Sequence, residues 1–269
     1  MIKEETRAKI KGYLEGFIEG LISEHETHDL RPTDIRPSRA YSAKADIKPF
    51  HEALLPDGVL TITEFERSFS TKLGSTFEET ARIIGEQVFA EARRSYRIRG
   101  KIAPETVRKI ESIANQIGTE GMKTSYLDLI DQVVRINGEQ TVERERIADL
   151  YLRDREGSEF FIEIKSPKPN KGQCIEVADR LLQIHAIKRA TPPKVKTFYA
   201  MAYNPYGEQK STYKHSLAVH YLDLTNQVLI GREFWELVGG KGTYESVLEI
   251  YREVGKEKGP DMIEKLALT

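Results

Sequence analysis

Two apolar runs in the middle of the chain carry acidic and basic residues that a buried strand rarely contains. Asp149 lies within the run 146–153, and Glu163 and Lys165 alternate with isoleucines in the run that follows. Residues 154–158 between the runs are polar and include a glycine, which is typical of a hairpin connection. Alternation places Glu163 and Lys165 on one face of their strand, and antiparallel pairing brings Asp149 beside them. The hairpin therefore predicts a cluster of two carboxylates and one ammonium group.

Such a cluster is suited to phosphate chemistry with a hard divalent cation. Mg²⁺ is held by one or two carboxylates while it keeps water and substrate phosphate in its coordination shell. The alternative is a surface hairpin in which Glu163 and Lys165 form an incidental salt bridge, because a chain with 31% charged residues contains several such pairs by chance. The flanking apolar residues and the hairpin context favour the chemical interpretation.

The order of Asp149, a short hairpin and then Glu163-Ile164-Lys165 resembles the signature of the PD-(D/E)XK nuclease superfamily. Ala148 stands where the family name has a proline. Within that superfamily the chain is similar to type II restriction endonucleases. The resemblance implies a homodimer that hydrolyses a phosphodiester in each strand of double-stranded DNA at a short palindromic site, with Mg²⁺ as cofactor.

The resemblance also implies roles for individual residues. Asp149, Glu163 and the carbonyl oxygen of Ile164 would hold the metal ion, and Lys165 would position the attacking water and stabilise negative charge. In this superfamily a helix before the sheet often supplies a further glutamate. The phrase 74–78 is similar to the start of that helix, which makes Glu78 a catalytic candidate. The alternative is that Glu78 only complements the dipole of a helix capped by Ser75 or Thr76.

Hydrophobic periodicity predicts an α/β fold, in which helices flank a central β-sheet, with helical additions at both ends. The resemblance implies that this sheet is mixed and that the core is restriction-endonuclease-like. Helices are expected at about 3–24, 75–92, 104–117, 125–136, 173–188 and 244–266, and strands at about 59–62, 146–153, 160–165, 195–203 and 217–222. The chain 1–269 is interpreted as one endonuclease domain. Its core is expected at about 74–230, with an N-terminal helix and DNA-contacting loop at 1–73 and C-terminal helices at 231–269.

Positive charge must be concentrated locally, because 41 basic and 42 acidic residues leave a net charge of −1. Residues 165–196 contain eight basic and two acidic residues, and residues 93–101 contain five basic and no acidic ones. Both segments are expected to follow the DNA backbone, although 93–101 would also suit the C-terminal end of a helix. The candidate DNA-binding residues are Lys168, Asn170, Lys171, Gln173, Arg31, Arg36, Arg39, Arg94, Arg97 and Arg99.

Two loops that carry these candidates have alternative interpretations. In the loop 166–173, Asn170 and Gln173 have the groups to pair with adenine, and Lys171 those to pair with guanine. Otherwise this loop is a connector whose polar residues face water. The irregular segment 29–57 is either an arm for phosphates and base edges or an exposed loop.

Composition limits the remaining possibilities. A single cysteine, Cys174, excludes a disulfide framework and fits a reducing cytoplasm. No stretch reaches 18 apolar residues, so we expect a soluble cytoplasmic protein without membrane contacts. The segment 240–243 lacks the spacing of a phosphate-binding loop, so no nucleotide cofactor is expected.

Two rival functions share some of these features. A repair or junction-resolving nuclease with the same core would read DNA structure, whereas the arm at 29–57 favours readout of sequence. A catalytically inactive DNA-binding module is disfavoured because Asp149, Glu163 and Lys165 are all present.

Overall fold

In a computed structural model, residues 2–25 and 57–265 of the chain are described. The helices within these ranges are α1 (Glu4–His25), α2 (Asp57–Val88), α3 (Pro104–Glu120), α4 (Tyr126–Val134), α5 (Lys171–Lys188), α6 (Ser216–Tyr221), α7 (Arg232–Gly239) and α8 (Thr243–Lys265), with a 3₁₀ turn at Lys210–Thr212. The strands are β1 (Glu91–Ile102), β2 (Val142–Arg153), β3 (Glu159–Ile164), β4 (Val195–Met201) and β5 (Val228–Ile230). No helix in these ranges is both long and apolar enough to span a membrane.

The five strands form one mixed sheet in the order β1-β2-β3-β4-β5. β1, β2 and β3 pair antiparallel, and β3, β4 and β5 pair parallel. The change of direction follows from the connections, since β2 and β3 are joined by a short turn, whereas α5 crosses over between β3 and β4. The predicted α/β class, a central mixed sheet flanked by helices, is confirmed.

Each face of the sheet is covered by helices. On one face α3, α4 and α5 pack into a single apolar core that includes Ile110, Ile130 and Leu181. On the other face Gly85 of α2 lies so close to β2 that a Cβ atom would be 2.7 Å from Leu152 Cδ2. Strand β3 is therefore buried on both sides, which explains why it is a nearly continuous apolar run.

The chain divides into two compact units. One contains residues 1–7 and 77–248, and therefore the whole sheet. The other, residues 8–76 and 249–269, is helical where it is described, and its buried side chains include Leu14, Ile18 and Ile250. The interpretation of 1–269 as one endonuclease domain stays a prediction.

Most expected helices and the central hairpin are confirmed, but four local predictions are wrong. Residues 59–62 are helical rather than a strand, and α2 continues through Ser75 and Thr76, which therefore do not cap a helix. The basic segment 93–101 is part of strand β1, which was not predicted, and this excludes its alternative interpretation as a helix end. Residues 217–222 belong largely to helix α6, and the last strand is the short β5 instead.

Candidate active site

Asp149, Glu163 and Lys165 come together where β2 and β3 pair. The antiparallel register pairs Leu150 with Ile162, which puts Asp149 opposite Glu163. Lys165 Nζ lies 2.8 Å from Asp149 Oδ2 and 3.3 Å from Glu163 Oε2. The structure thus brings together the three side chains that the hairpin pattern singled out.

The backbone adds a further contact to this cluster. The N–H group of Ile164 donates a hydrogen bond of 2.9 Å to the same Asp149 oxygen that Lys165 contacts. A carboxylate that accepts both an ammonium and a backbone N–H is fixed in direction. Asp149 therefore presents one defined orientation to a ligand. The role of the Ile164 carbonyl oxygen as a metal ligand stays a prediction.

Burial and charge set the protonation states at the site. Burial and the nearby Asp149 charge raise the pKa of Glu163 to about 7, against the opposing influence of Lys165 and Arg180. Burial alone would lower the pKa of Lys165, but the Asp149 and Glu163 carboxylates outweigh it and the pKa is raised. Lys165 is therefore an ammonium group at neutral pH.

The two oxygens of Glu163 have different surroundings. Oε2 accepts a hydrogen bond of 2.7 Å from Arg180 Nη1 of α5, in addition to its contact with Lys165. Oε1 is buried and has no hydrogen-bond partner among the described groups. An unpartnered carboxylate oxygen beside a second carboxylate fits a divalent cation. The described residues contain no group of three or more carboxylate, histidine or cysteine side chains placed to hold a metal.

Glu78 lies in the middle of α2, within electrostatic reach of Asp149. Arg94 of β1 donates to its Oε2 at 2.7 Å and to Glu79 Oε2 at 3.3 Å. Burial raises the pKa of Glu78, the hydrogen bond from Arg94 opposes this, and the Asp149 charge raises it further. Dipole complementation at a helix start does not explain Glu78, because α2 begins at Asp57. Its catalytic role stays a prediction.

Ser95 lies opposite Asp149, because the β1–β2 register pairs Arg94 with Leu150 and Tyr96 with Ala148. It has a φ of 49°, in the left-handed region that non-glycine residues rarely adopt. Arg94 reaches α2, whereas Tyr96 stacks on Tyr151 at 3.9 Å between ring centroids. A regular strand would place Arg94 and Tyr96 on one face. At Ser95, next to the candidate site, the regular alternation of side chains is therefore interrupted, and Arg94 and Tyr96 lie on opposite faces of the sheet.

Three side chains from outside the loop hold the segment that leaves β3. Tyr199 donates to the carbonyl oxygen of Ser166, Tyr213 to that of Pro167 and His215 to that of Pro169, at 3.2, 2.7 and 2.8 Å. The loop therefore has a fixed backbone path immediately after the candidate site.

Asn170 and Gln173 form a capping box at the start of α5. Asn170 Oδ1 accepts from the Gln173 backbone N–H, and Gln173 Oε1 accepts from the Asn170 backbone N–H, both at 2.9 Å. The predicted readout side chains thus each have a structural function as well. Asn170 is exposed, and its amide nitrogen has no partner among the described residues.

The remaining DNA-binding candidates differ in how far carboxylates neutralise them. Arg94 is half-buried against Glu78 and Glu79, whereas Arg97 and Arg99 are 62% and 72% exposed although both contact Glu145. Lys168 and Lys171 are exposed and lie over the rings of Tyr206 and Tyr221, without an ion pair to a described carboxylate. Arg31, Arg36 and Arg39 lie outside the described residues.

His185 is a buried structural residue. Its Nδ1 lies 2.8 Å from the Ala190 carbonyl oxygen and its Nε2 lies 3.0 Å from Thr197 Oγ1. Because a carbonyl oxygen only accepts, Nδ1 carries the proton and the Thr197 hydroxyl donates to Nε2. Burial lowers the pKa of His185 to about 4, so the ring is neutral at physiological pH.

Sequence reasoning missed Arg180, which contacts Glu163 across 17 positions of sequence. It lies in a helix that is also rich in charge, and no spacing pattern links it to the hairpin. Only the packing of α5 against β3 reveals the pair.

The mixed sheet, its two helical layers and the site at the β2–β3 hairpin form a restriction-endonuclease-like α/β core. Residues 2–255 match the family described as type II restriction endonuclease, HinfI. The chain is 42% identical to the type II restriction enzymes HgiCII and HgiBI of Herpetosiphon aurantiacus, in each case over 97% of both chains. It is 27% identical to the type II restriction enzyme MjaII of Methanocaldococcus jannaschii, over 84% of this chain and 62% of that one.

The chain therefore belongs to the HinfI family of type II restriction endonucleases. It is a site-specific deoxyribonuclease, and its substrate is double-stranded DNA. Family membership decides against the two rival functions, a structure-reading repair nuclease and an inactive binding module.

Proposed function

We propose that the enzyme cleaves both strands of a short palindromic site as a Mg²⁺-dependent homodimer, with Asp149, Glu163 and Lys165 as a PD-(D/E)XK centre. The observation that supports this best is Glu163 Oε1, a buried carboxylate oxygen without a hydrogen-bond partner. Glu163 and Asp149 form a pair of carboxylates that both contact the ammonium group of Lys165. Two carboxylates with room for water and phosphate form a donor set that Mg²⁺ prefers.

Each residue of the centre has a distinct role in this proposal. Asp149 and Glu163 hold the ion, and the carbonyl oxygen of Ile164 is a third ligand. When bound, a divalent ion makes a water molecule acidic enough to supply hydroxide near neutral pH and offsets phosphate charge. Glu78 is an accessory acidic group whose availability depends on Arg94.

In this proposal, Lys165 positions the attacking water molecule. Its ammonium group is held 2.8 Å from Asp149, where it donates to a water molecule and orients it toward phosphorus. The water oxygen bonds to phosphorus as the water releases a proton to solvent, a phosphorus–oxygen bond of the backbone breaks, and the leaving oxygen takes up a proton from solvent. Lys165 stays cationic while negative charge develops on the phosphate oxygens.

The proposed homodimer and the proposed palindromic site are related by symmetry. Two copies related by a two-fold axis present identical sites to the two strands, so a two-fold protein matches a two-fold DNA sequence. A cytoplasmic location is also proposed, since the single cysteine, Cys174, is free and buried and fits a reducing compartment.

The test is digestion of plasmid DNA with and without Mg²⁺, followed by run-off sequencing of the cut ends. We expect discrete fragments only with Mg²⁺, and cuts placed symmetrically in the two strands of a palindrome. Cuts in one strand alone, or at an asymmetric site, would contradict the dimeric arrangement.

Variants connect the activity to the site. Asp149→Ala and Glu163→Ala should lower the cleavage rate by more than the roughly 10–100-fold that loss of an outer-shell partner costs. Binding to DNA should persist, because the lysine and arginine contacts to phosphate remain. Glu159→Gln is the matched control, since Glu159 is also a β3 carboxylate but pairs with Lys188. If Asp149→Ala cut at a rate close to that of Glu159→Gln, the assignment of the site would be wrong.

A further inference from the structure

Glu163 is held in a way that ion pairing alone does not explain. Its side chain is fully buried, yet only Oε2 contacts cations, namely Arg180 at 2.7 Å and Lys165 at 3.3 Å. Oε1 is buried without any hydrogen-bond partner among the described groups. A buried polar atom that lacks a partner opposes folding. An arginine placed only for stability would be expected to bind both oxygens, as a fork does.

Arg180 is held on both sides of its guanidinium. Nη1 contacts Glu163, and Nη2 donates to Glu176 at 2.6 Å, one turn earlier in α5. The helix itself is fixed against the sheet, because Val177, Leu181 and Ile184 are buried. A planar guanidinium on a fixed helix determines the direction of the carboxylate that it binds.

We propose that Arg180 is a positioning residue of the active centre, which fixes Glu163 Oε2 so that Oε1 is the oxygen presented to a divalent cation. This inference rests on the proposed function, in which Glu163 is a metal ligand. Arg180 does not itself touch the ion or the DNA in this scheme. It acts through Glu163, in the manner of the outer-shell groups that orient metal ligands.

A second cation–carboxylate pair between the same two elements supplies a matched control. Lys188 of α5 contacts Glu159 of β3 with an Nζ–Oε2 distance of 2.6 Å, as Arg180 contacts Glu163. Its loss removes an ion pair between the same helix and strand without touching the candidate ligands. Lys188→Gln therefore separates loosened packing of α5 from misdirection of Glu163.

The experiment measures binding of Mn²⁺ to the full-length protein without DNA, from the electron paramagnetic resonance signal of the free ion. Arg180→Gln should weaken Mn²⁺ binding by about 10–100-fold, the usual effect of losing an outer-shell partner. Arg180→Lys, which keeps the charge but loses the planar fork, should give an intermediate loss. Lys188→Gln should bind Mn²⁺ as the unchanged protein does. Circular dichroism establishes whether each variant is folded. If Arg180→Gln is not folded, Arg180→Lys is the variant that tests the proposal.

The variant Glu163→Gln distinguishes a failure of the inference about Arg180 from a failure of the proposed metal centre itself. If Glu163→Gln loses Mn²⁺ binding while folded Arg180 variants keep it, Arg180 has only a structural role and the inference is wrong. If Glu163→Gln also binds Mn²⁺ normally, Glu163 is not a ligand and the proposed centre itself fails. A loss in the Arg180 variants that Lys188→Gln reproduces would point to helix packing and overturn the inference.

Discussion

At the scale of single residues, the least expected feature is Ser95. Ser95 lies opposite Asp149 in the register and has a φ of 49°. At this residue the strand changes the face of the sheet on which alternate side chains lie, so that Arg94 and Tyr96 lie on opposite faces. A non-glycine residue in the left-handed region persists only when the surrounding structure imposes it. The strain is thus located beside Asp149, a residue of the proposed metal centre.

Substitutions at Ser95 should separate backbone strain from side-chain chemistry. Ser95→Gly should keep or slightly raise stability, because glycine adopts positive φ without steric cost. Ser95→Val should lower the free energy of unfolding by about 1–3 kcal/mol, since a branched side chain disfavours this conformation. It should also slow cleavage as Asp149 shifts. Urea unfolding and cleavage rates measure the two effects.

Ser95→Ala is the control for the hydroxyl group. It keeps the Cβ atom and removes only the oxygen, so a loss of cleavage in Ser95→Ala without a loss of stability would assign the effect to the hydroxyl. A Ser95→Val protein as stable and active as the unchanged enzyme would show that the left-handed backbone is unimportant.

At the scale of elements, α5 connects several functions. Its first residues form the Asn170–Gln173 capping box, its middle holds Arg180 against Glu163, and its end carries Lys188 and the buried His185. Substitutions at its N-terminus therefore act on stability as well as on any contact with DNA. Tests of base readout in the loop need variants that keep the cap.

Asn170→Ser is such a variant. Serine is a good N-cap residue, so Asn170→Ser should keep the stability of the enzyme, whereas Asn170→Ala should lose about 0.5–2 kcal/mol. If Asn170 reads a base, cleavage of the specific site should still fall in Asn170→Ser, because serine lacks an amide that can pair with adenine, while binding to random duplex is kept. Unfolding curves, cleavage rates and filter binding provide the comparison. Wild-type cleavage by a stable Asn170→Ser would leave Asn170 with capping alone.

The sequence predicted the hairpin and the main helices because their patterns are local. β2 and β3 are joined by a short turn, and the apolar flanks fix which residues face each other. β1 was not predicted as a strand, because its charges were interpreted as a block. Beyond Ser95, its exposed positions Arg97, Arg99 and Lys101 do alternate with less exposed ones, as a strand requires.

Other features depend on contacts that no local pattern contains. Residues 59–62 have strand-forming side chains, yet they continue one long helix, and β5 has only three residues. Arg180 meets Glu163 only because the crossover helix packs on the sheet. The three candidate residues of the hairpin were accessible from sequence, whereas the residue that orients Glu163 was not.

At the scale of the whole molecule, the net charge of −1 does not show which basic residues contact carboxylates and which are available to DNA. Within 165–196, Lys165, Arg180 and Lys188 contact carboxylates, so the local excess of positive charge is smaller than a count of residues suggests. Lys168 and Lys171 have no such described partner and remain the strongest candidates for phosphate contacts.

The salt dependence of DNA binding tests these lysines. If Lys168 and Lys171 contact phosphates, each alanine substitution should reduce the magnitude of the slope of log K against log salt by about 0.9. Binding to every duplex should weaken about equally. Lys188→Ala is the control, because its charge is already paired with Glu159. Unchanged slopes for both lysines would place them away from DNA.

The anchoring of the loop after β3 has a consequence for the thermodynamics of association. Tyr199, Tyr213 and His215 bind three of its carbonyl oxygens, so its backbone is ordered before DNA arrives. Ordering one residue removes about 1–2 kcal/mol of conformational entropy. For this loop that loss occurs during folding and does not recur on binding. Complex formation should then require little rearrangement here, so that encounter with the correct site is followed directly by alignment of the scissile phosphate.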